Sequence, residues 1–91
     1  MRLKSDKKAK VFTVTEVWSE NGCVSLDVSD AFTELAKAQV FMSCCLASET
    51  DGYIEEFGIA GFSSVTDETA ASLTHDDNNW YNLDIHEQKL L

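Results

Sequence analysis

Proline is absent from this 91-residue chain, and glycine occurs only four times, at Gly22, Gly52, Gly58 and Gly61. Without proline there is no slow prolyl isomerisation during folding. With 44% hydrophobic residues and nine aromatics, the composition is that of a folded chain rather than a disordered one. No run approaches the roughly 18 apolar residues of a membrane span, and no apolar segment of the signal-peptide kind follows the charged start MRLKSDKKAK. A chain this short makes one domain and buries about 60–65% of its unfolded surface, so its stability margin is thin and a partner subunit would help.

Cysteine is scarce and odd in number: Cys23, Cys44 and Cys45. Three cysteines without a secretion signal point to reduced thiols in a cytoplasm. Cys44 and Cys45 lie in the most apolar stretch and read as buried or half-buried structural thiols. Positive charge is scarcer still beyond the N-terminus. Five of the seven basic residues (Arg2, Lys4, Lys7, Lys8, Lys10) fall in the first ten positions. From Val11 onward fifteen carboxylates stand against Lys37 and Lys89, a net −13. We therefore expect a basic flexible tail over residues 1–9 and a strongly acidic domain over 10–91. Such a body repels nucleic acid and anionic membrane and attracts basic protein surfaces.

The first patterned stretch is KVFTVTEVWSENGCVSLDVSD. Two β-rich runs, 11–18 and 23–28, flank Asn21-Gly22, a pair suited to the positive φ angles of a type I′ hairpin turn. This register sets Glu20 opposite Cys23, Val17 opposite Leu26 and Thr15 opposite Val28. One face then collects Val11, Thr13, Thr15, Val17, Val24, Leu26 and Val28, and is expected to form the core surface. The other carries Phe12, Val14, Glu16, Trp18, Ser25 and Asp27, too apolar for plain solvent and too acidic for a core, which suggests a half-covered face or an interaction surface.

A helix is expected from Thr33 to Ser48, capped by Thr33 or Asp30 and stopped by Asp51-Gly52. Phe32, Leu35, Ala38, Met42, Cys45 and Leu46 form its sheet-facing stripe. Phe41 and Cys44 fall on the opposite side, where they would be covered or would meet another molecule. Tyr53 to Phe57 reads as a helical turn, and Ile59 to Val65 as a strand or a loop.

The C-terminal stretch HDDNNWYNLDIHE holds both histidines, His75 and His86. Asp76-Asp77-Asn78-Asn79 reads as a hairpin loop, after which Tyr81, Leu83 and Ile85 alternate with Asn82, Asp84 and His86 as in a half-buried strand. No HxH, HxxxH or CxxC spacing supports a metal, no nucleophile elbow accompanies the histidines, and GIAGFSS is no phosphate cradle. We assign no catalytic residue, metal or cofactor.

These signals define an α+β single domain in which one helix packs on an antiparallel sheet of four or five strands, in the order ββα(β)ββ. The Asn21-Gly22 hairpin, the helix opening Phe32-Thr33-Glu34-Leu35-Ala36-Lys37-Ala38 and the acidic C-terminal hairpin resemble, in architecture and charge, small acidic phage and mobile-element proteins of the anti-CRISPR, or anti-defence, type. That resemblance implies a phage-encoded inhibitor that presents acidic surface to a basic nucleic-acid-binding groove in the host cytoplasm; the basic tail departs from a simple DNA mimic. The expected function is a non-enzymatic acidic protein-binding module, with Asp76, Asp77, Asp84, Glu55 and Glu56 as its charges and Trp80 and Tyr81 as its apolar anchor. One alternative is a self-associating structural protein, a homodimer with Trp18, Phe41 and Cys44 at the seam. The other is a small enzyme or metal protein using His75 and His86.

Overall fold

A computed structural model describes residues 9–90; the basic tail expected over 1–9 therefore lies, apart from Ala9, outside the described residues. Strands β1 (Ala9–Glu20) and β2 (Cys23–Phe32) are followed by helix α1 (Leu35–Phe57) and then by β3 (Ser63–Thr66), β4 (Ala70–Asp76) and β5 (Asn79–Leu90). All pairings are antiparallel, and the order across the sheet is β2-β1-β5-β4-β3. The chain is thus an α+β domain with one helix on a five-stranded sheet. No helix among the described residues is long and apolar enough to cross a membrane.

Asn21 (φ 53°) and Gly22 (φ 86°) both take positive φ, as a type I′ turn requires, and Glu20 pairs with Cys23, Val17 with Leu26 and Thr15 with Val28. The face that packs is the reverse of the one expected. Phe12 and Val14 are buried, whereas Val24, Leu26 and Val28 are 62%, 68% and 61% exposed. Strand β5 decides this. Its buried Tyr81, Leu83 and Ile85 lie opposite Trp18, Glu16 and Val14, so these β1 residues share the helix-covered face. A β-bulge completes the inversion. The β1–β2 register shifts between Val14 and Thr15, leaving Ser29 unpaired. Residues after it change face, so Phe32 lands beside Phe12 under the helix while Val28 stays on the open side.

Helix α1 buries Ala38 and Met42, with Leu35, Cys45 and Leu46 packed against the core. It begins at Leu35 with Glu34 as a cap residue that makes no side-chain cap bond; the caps expected at Thr33 and Asp30 do not form, and Asp30 Oδ1 instead accepts from the Ala31 N–H at 2.8 Å. Asp51-Gly52 does not stop the helix, which runs nine residues past Ser48 to Phe57. The extension is held by aromatic packing: Tyr53 meets Phe57 at 5.2 Å and Phe62 at 5.4 Å between ring centroids, and Phe57 stacks on His75 at 3.8 Å. Such contacts outweigh the modest helix penalty of one glycine. Of the two thiols expected to be buried or half-buried, Cys45 is half-buried, whereas Cys44 is exposed, as is Cys23.

Gly58 N–H bonds to the Ile54 carbonyl and Gly61 N–H to the Gly58 carbonyl, both at 2.9 Å, closing the turn out of the helix. A Cβ on Gly61 would lie 2.0 Å from the Phe57 carbonyl oxygen, whereas one on Gly52 would meet nothing within 4 Å. Gly61→Ala is therefore expected to destabilise the fold by about 1–3 kcal/mol. Gly52→Ala, in an open helical position, should stabilise it by about 0.5–1 kcal/mol. Urea unfolding of the two variants checks both signs.

Candidate functional site: an acidic cleft at the hairpin end

Strands β1 and β5 run side by side for their whole length, so the β1–β2 and β4–β5 turns fall at the same end of the sheet. They are stitched together there. The Gly22 N–H donates to the Asn78 carbonyl at 3.0 Å, the Asn21 N–H to Asn79 Oδ1 at 3.0 Å, and Ser19 Oγ to the Asn78 carbonyl at 2.9 Å. Helix α1 starts near the opposite end, after Phe32, and runs towards the turns, where Phe57 reaches His75. The His75 Nδ1–H donates to the Gly61 carbonyl at 2.5 Å, which ties the loop after the helix to β4.

Between the helix and the β1 end is a cleft of about 210 Å³ lined by Glu16, Trp18, Glu20, Glu49, Tyr53 and Tyr81, with Ser19 and Trp80 completing it. Strand alternation accounts for three of these, since Glu16, Trp18 and Glu20 are two residues apart on the helix-facing side of β1. Glu49 and Tyr53, four apart, share one side of α1. Glu16 is the fixed member. It accepts from Tyr81 Oη at 2.6 Å and from the hydroxyl of Ser29, the bulge residue, so the bulge supplies the partner that a carboxylate on a core-facing position needs. Burial, and then the bond to Glu16, push the Tyr81 phenol well above the ordinary tyrosine range. Glu20 and Glu49 have no hydrogen-bond or ion-pair partner among the described residues. Partial loss of water around Glu49, followed by the charges of Glu16 and Glu20, raises its carboxyl above the usual glutamate value. The Tyr53 phenol is raised by burial and then by Glu49, Glu20, Glu56 and Asp76, showing how many acids converge at this end.

Of the residues expected to bind a partner, Asp76 ends β4, paired with Asn79, and Asp77 lies in the β4–β5 turn, which is two residues long rather than the four expected, while Glu55 and Glu56 lie in the last turn of α1; all four are exposed and at the end that holds the cleft. Asp76 Oδ1 accepts from the Asn78 N–H at 2.9 Å and from Asn79 Nδ2 at 3.1 Å; the Asn78 bond, and then the Asn79 amide, lower its carboxyl below the ordinary value. Asp84 does not join them. It lies on the open sheet face, between Thr15 and Ala70. Trp80 and Tyr81 are separated by strand alternation, and Tyr81 is buried under the helix, so the pair does not form one apolar anchor. The residues not foreseen are Glu20, Glu49 and Tyr53. The signal that pointed their way was the mismatch of Glu16 and Trp18 on one face of β1, but neither the cross-strand partner of Trp18 nor the length of the helix was readable from it.

The two histidines point to opposite faces. His75 stacks on Phe57 under the helix, while His86 Nε2 lies 3.0 Å from Thr15 Oγ1 on the open side. A site built on both has no shared geometry, and no cluster of three or more His, Cys, Asp or Glu suited to a metal occurs among the described residues.

Because Glu49 has a raised carboxyl, its folded form favours the proton. Its contribution to stability is therefore fully present below its ordinary value of 4.5 and lost as the pH rises through the raised value. Glu49→Gln should raise the melting temperature at pH 7, and the difference should close as the pH falls below about 4.5. Thermal melts of the two proteins between pH 3 and 8 read this directly.

No protein-family model, no curated protein and no solved structure matches this chain.

Proposed function

We propose that this chain is a non-enzymatic protein-binding module of the cytoplasm that presents its acidic end to a basic partner surface, with the cleft between Trp18, Glu20, Glu49 and Tyr53 receiving an arginine or lysine side chain. The observation that carries this reading is the segregation of charge. Lys10 and Lys89 pair across the far end of β1 and β5, and Lys37 lies in the first turns of α1 at that same end. There Lys10 meets Glu87 at 3.2 Å and Lys37 meets Glu34 at 3.8 Å. At the cleft end no lysine or arginine is present among the described residues to answer Glu16, Glu20, Glu49, Glu55, Glu56, Asp76 and Asp77.

The helix adds to this polarity, since α1 directs its negative end towards the cleft and has no basic residue in its last turn. Carboxylates placed there, such as Glu55 and Glu56, oppose the macrodipole by a few tenths to about 1 kcal/mol each. An arrangement that costs stability and concentrates one sign of charge fits a binding surface better than a solubilising one, which works as well with charges dispersed. At about 210 Å³ the cleft falls below the roughly 300–1,000 Å³ of sites for drug-sized ligands and cofactors, and suits a single side chain. A guanidinium suits it best, because it stacks on indole and phenol faces while donating to carboxylates in its plane. The resemblance to anti-defence inhibitors supports a nucleic-acid-handling complex as the partner, since a groove that binds phosphates must be lined with arginine and lysine.

Calorimetric titration with a tetra-arginine peptide tests this reading. Binding should weaken at least about fivefold between 50 and 150 mM salt, as screening shortens towards 8 Å. The double substitution Glu20→Gln with Glu49→Gln should weaken it by about tenfold, or roughly 1.4 kcal/mol. Glu68→Gln with Glu87→Gln removes the same charge away from the cleft and should change it less than about twofold. Equal losses in the two double variants, or no binding at low salt, would contradict the proposal.

A further inference from the structure

Among the described residues, strand β2 is the edge of the sheet, with β1 on one side and no strand on the other. It is ten residues long, and all but Ser29 and Phe32 are exposed. An edge of this length leaves a row of N–H and C=O groups without partners, and natural proteins normally blunt or cover such edges. Apolar surface flanks this one on both faces. On the open side are Val24, Leu26 and Val28. On the helix side, because the bulge sends Phe32 across, is a shallow groove of about 450 Å³ lined by Phe32, Ala36, Lys37, Val40, Phe41 and Cys44. Phe41 rests on Phe32 at 5.4 Å between ring centroids, and Val40 is 64% exposed.

We infer that the β2 edge and the adjoining flank of α1 form a homodimer interface, in which β2 pairs antiparallel with β2 of a second copy and the two helices meet through Val40, Phe41 and Cys44. Apolar lining and size select this occupant. The acidic pole, which would repel a second copy, lies at the hairpin end; the groove is lined by five uncharged residues and Lys37, which Glu34 already meets at 3.8 Å, and the carboxylates that β2 brings to the seam are Asp27 and Asp30. A two-fold axis perpendicular to the sheet brings β2 against β2 and leaves both helices on the same face, so one apolar flank meets its own copy, as an isologous contact requires. Ten residues of strand span about 33 Å, and the molecule is 15 Å through its thinnest dimension. That gives roughly 500 Å² in projection, which side-chain relief brings towards the roughly 800 Å² per partner of a standard interface. The opposite edge, β3, has only four residues, so pairing closes at two copies. This inference is independent of the reading of the cleft.

Sedimentation equilibrium over micromolar to millimolar concentrations tests it, together with amide hydrogen exchange of β2. The expected mass is twice the 10.1 kDa of the chain, with the outward amides of β2 protected. Val28→Lys and Val40→Lys each replace a side chain exposed in the single chain, so the fold should persist by circular dichroism while dimerisation weakens at least about tenfold. A monomer at every concentration would overturn the inference. So would a dimer indifferent to both substitutions, a dimer whose β2 amides exchange as fast as those of the variants, or a monomer whose β2 amides are protected regardless.

Discussion

A single helix can cover only one face of a sheet, and which face it covers determines the rest of this molecule. With 23 residues, α1 is about 35 Å long and lies over Phe12, Val14, Leu73, Leu83 and Ile85, which form the core with Ala38 and Met42. The choice is made by β5, whose alternating Tyr81, Leu83 and Ile85 are the largest coherent apolar set in the sheet. Strand β1 must follow because it is locked to β5 in register. Strand β2 follows only in part, because the bulge at Ser29 brings Phe32 under the helix beside Phe12 while Val24, Leu26 and Val28 face outward. The open apolar stripe and the exposed edge are thus consequences of covering five strands with one helix.

The same geometry produces the polar character of the domain. Antiparallel β1 and β5 bring two turns to one end, and the helix directs its C-terminus there, so acids scattered through the sequence at Glu16, Glu20, Glu49, Glu56 and Asp76 become neighbours in space. They are not equivalent. Glu16 is committed to Tyr81 and Ser29 and serves as the fixed floor of the cleft, while Asp76 is engaged in its own turn. Glu20 and Glu49 are left facing the aromatic rings of Trp18 and Tyr53 with their charges unanswered. A cation entering between them would meet both field and ring faces, without the reorganisation that a flexible acidic loop would require.

The architecture was legible in the sequence because its signals are local. Asn21-Gly22 specified a turn and through it a register, the period-two pattern from Tyr81 to Ile85 specified a buried face, and the 3.6-residue stripe from Leu35 to Leu46 specified a helix. What was not legible depended on which elements meet. Val24, Leu26 and Val28 make as good a core face on paper as Phe12, Val14 and Trp18, and only the pairing with β5 separates the two. Asp51-Gly52 is a reasonable helix stop until Tyr53, Phe57, Phe62 and His75 are seen to pack together. The cleft is harder still. It joins β1, α1 and β5, and its two carboxylates without a partner among the described residues, Glu20 and Glu49, sit 29 positions apart in the sequence with no spacing to connect them.

The account depends most on the acidic cleft being where a basic partner docks. The direct measurement is a nitrogen–proton correlation spectrum of the isotopically labelled chain, recorded during titration with tetra-arginine at low salt. The account predicts that the Trp18 indole resonance and the amides of Glu20, Glu49, Tyr53 and Asp76 to Asn78 move together with one midpoint, while those around Lys10, Lys37 and Lys89 stay in place. Shifts spread evenly over the acidic surface, or centred on the open sheet face near Asp84, would contradict it.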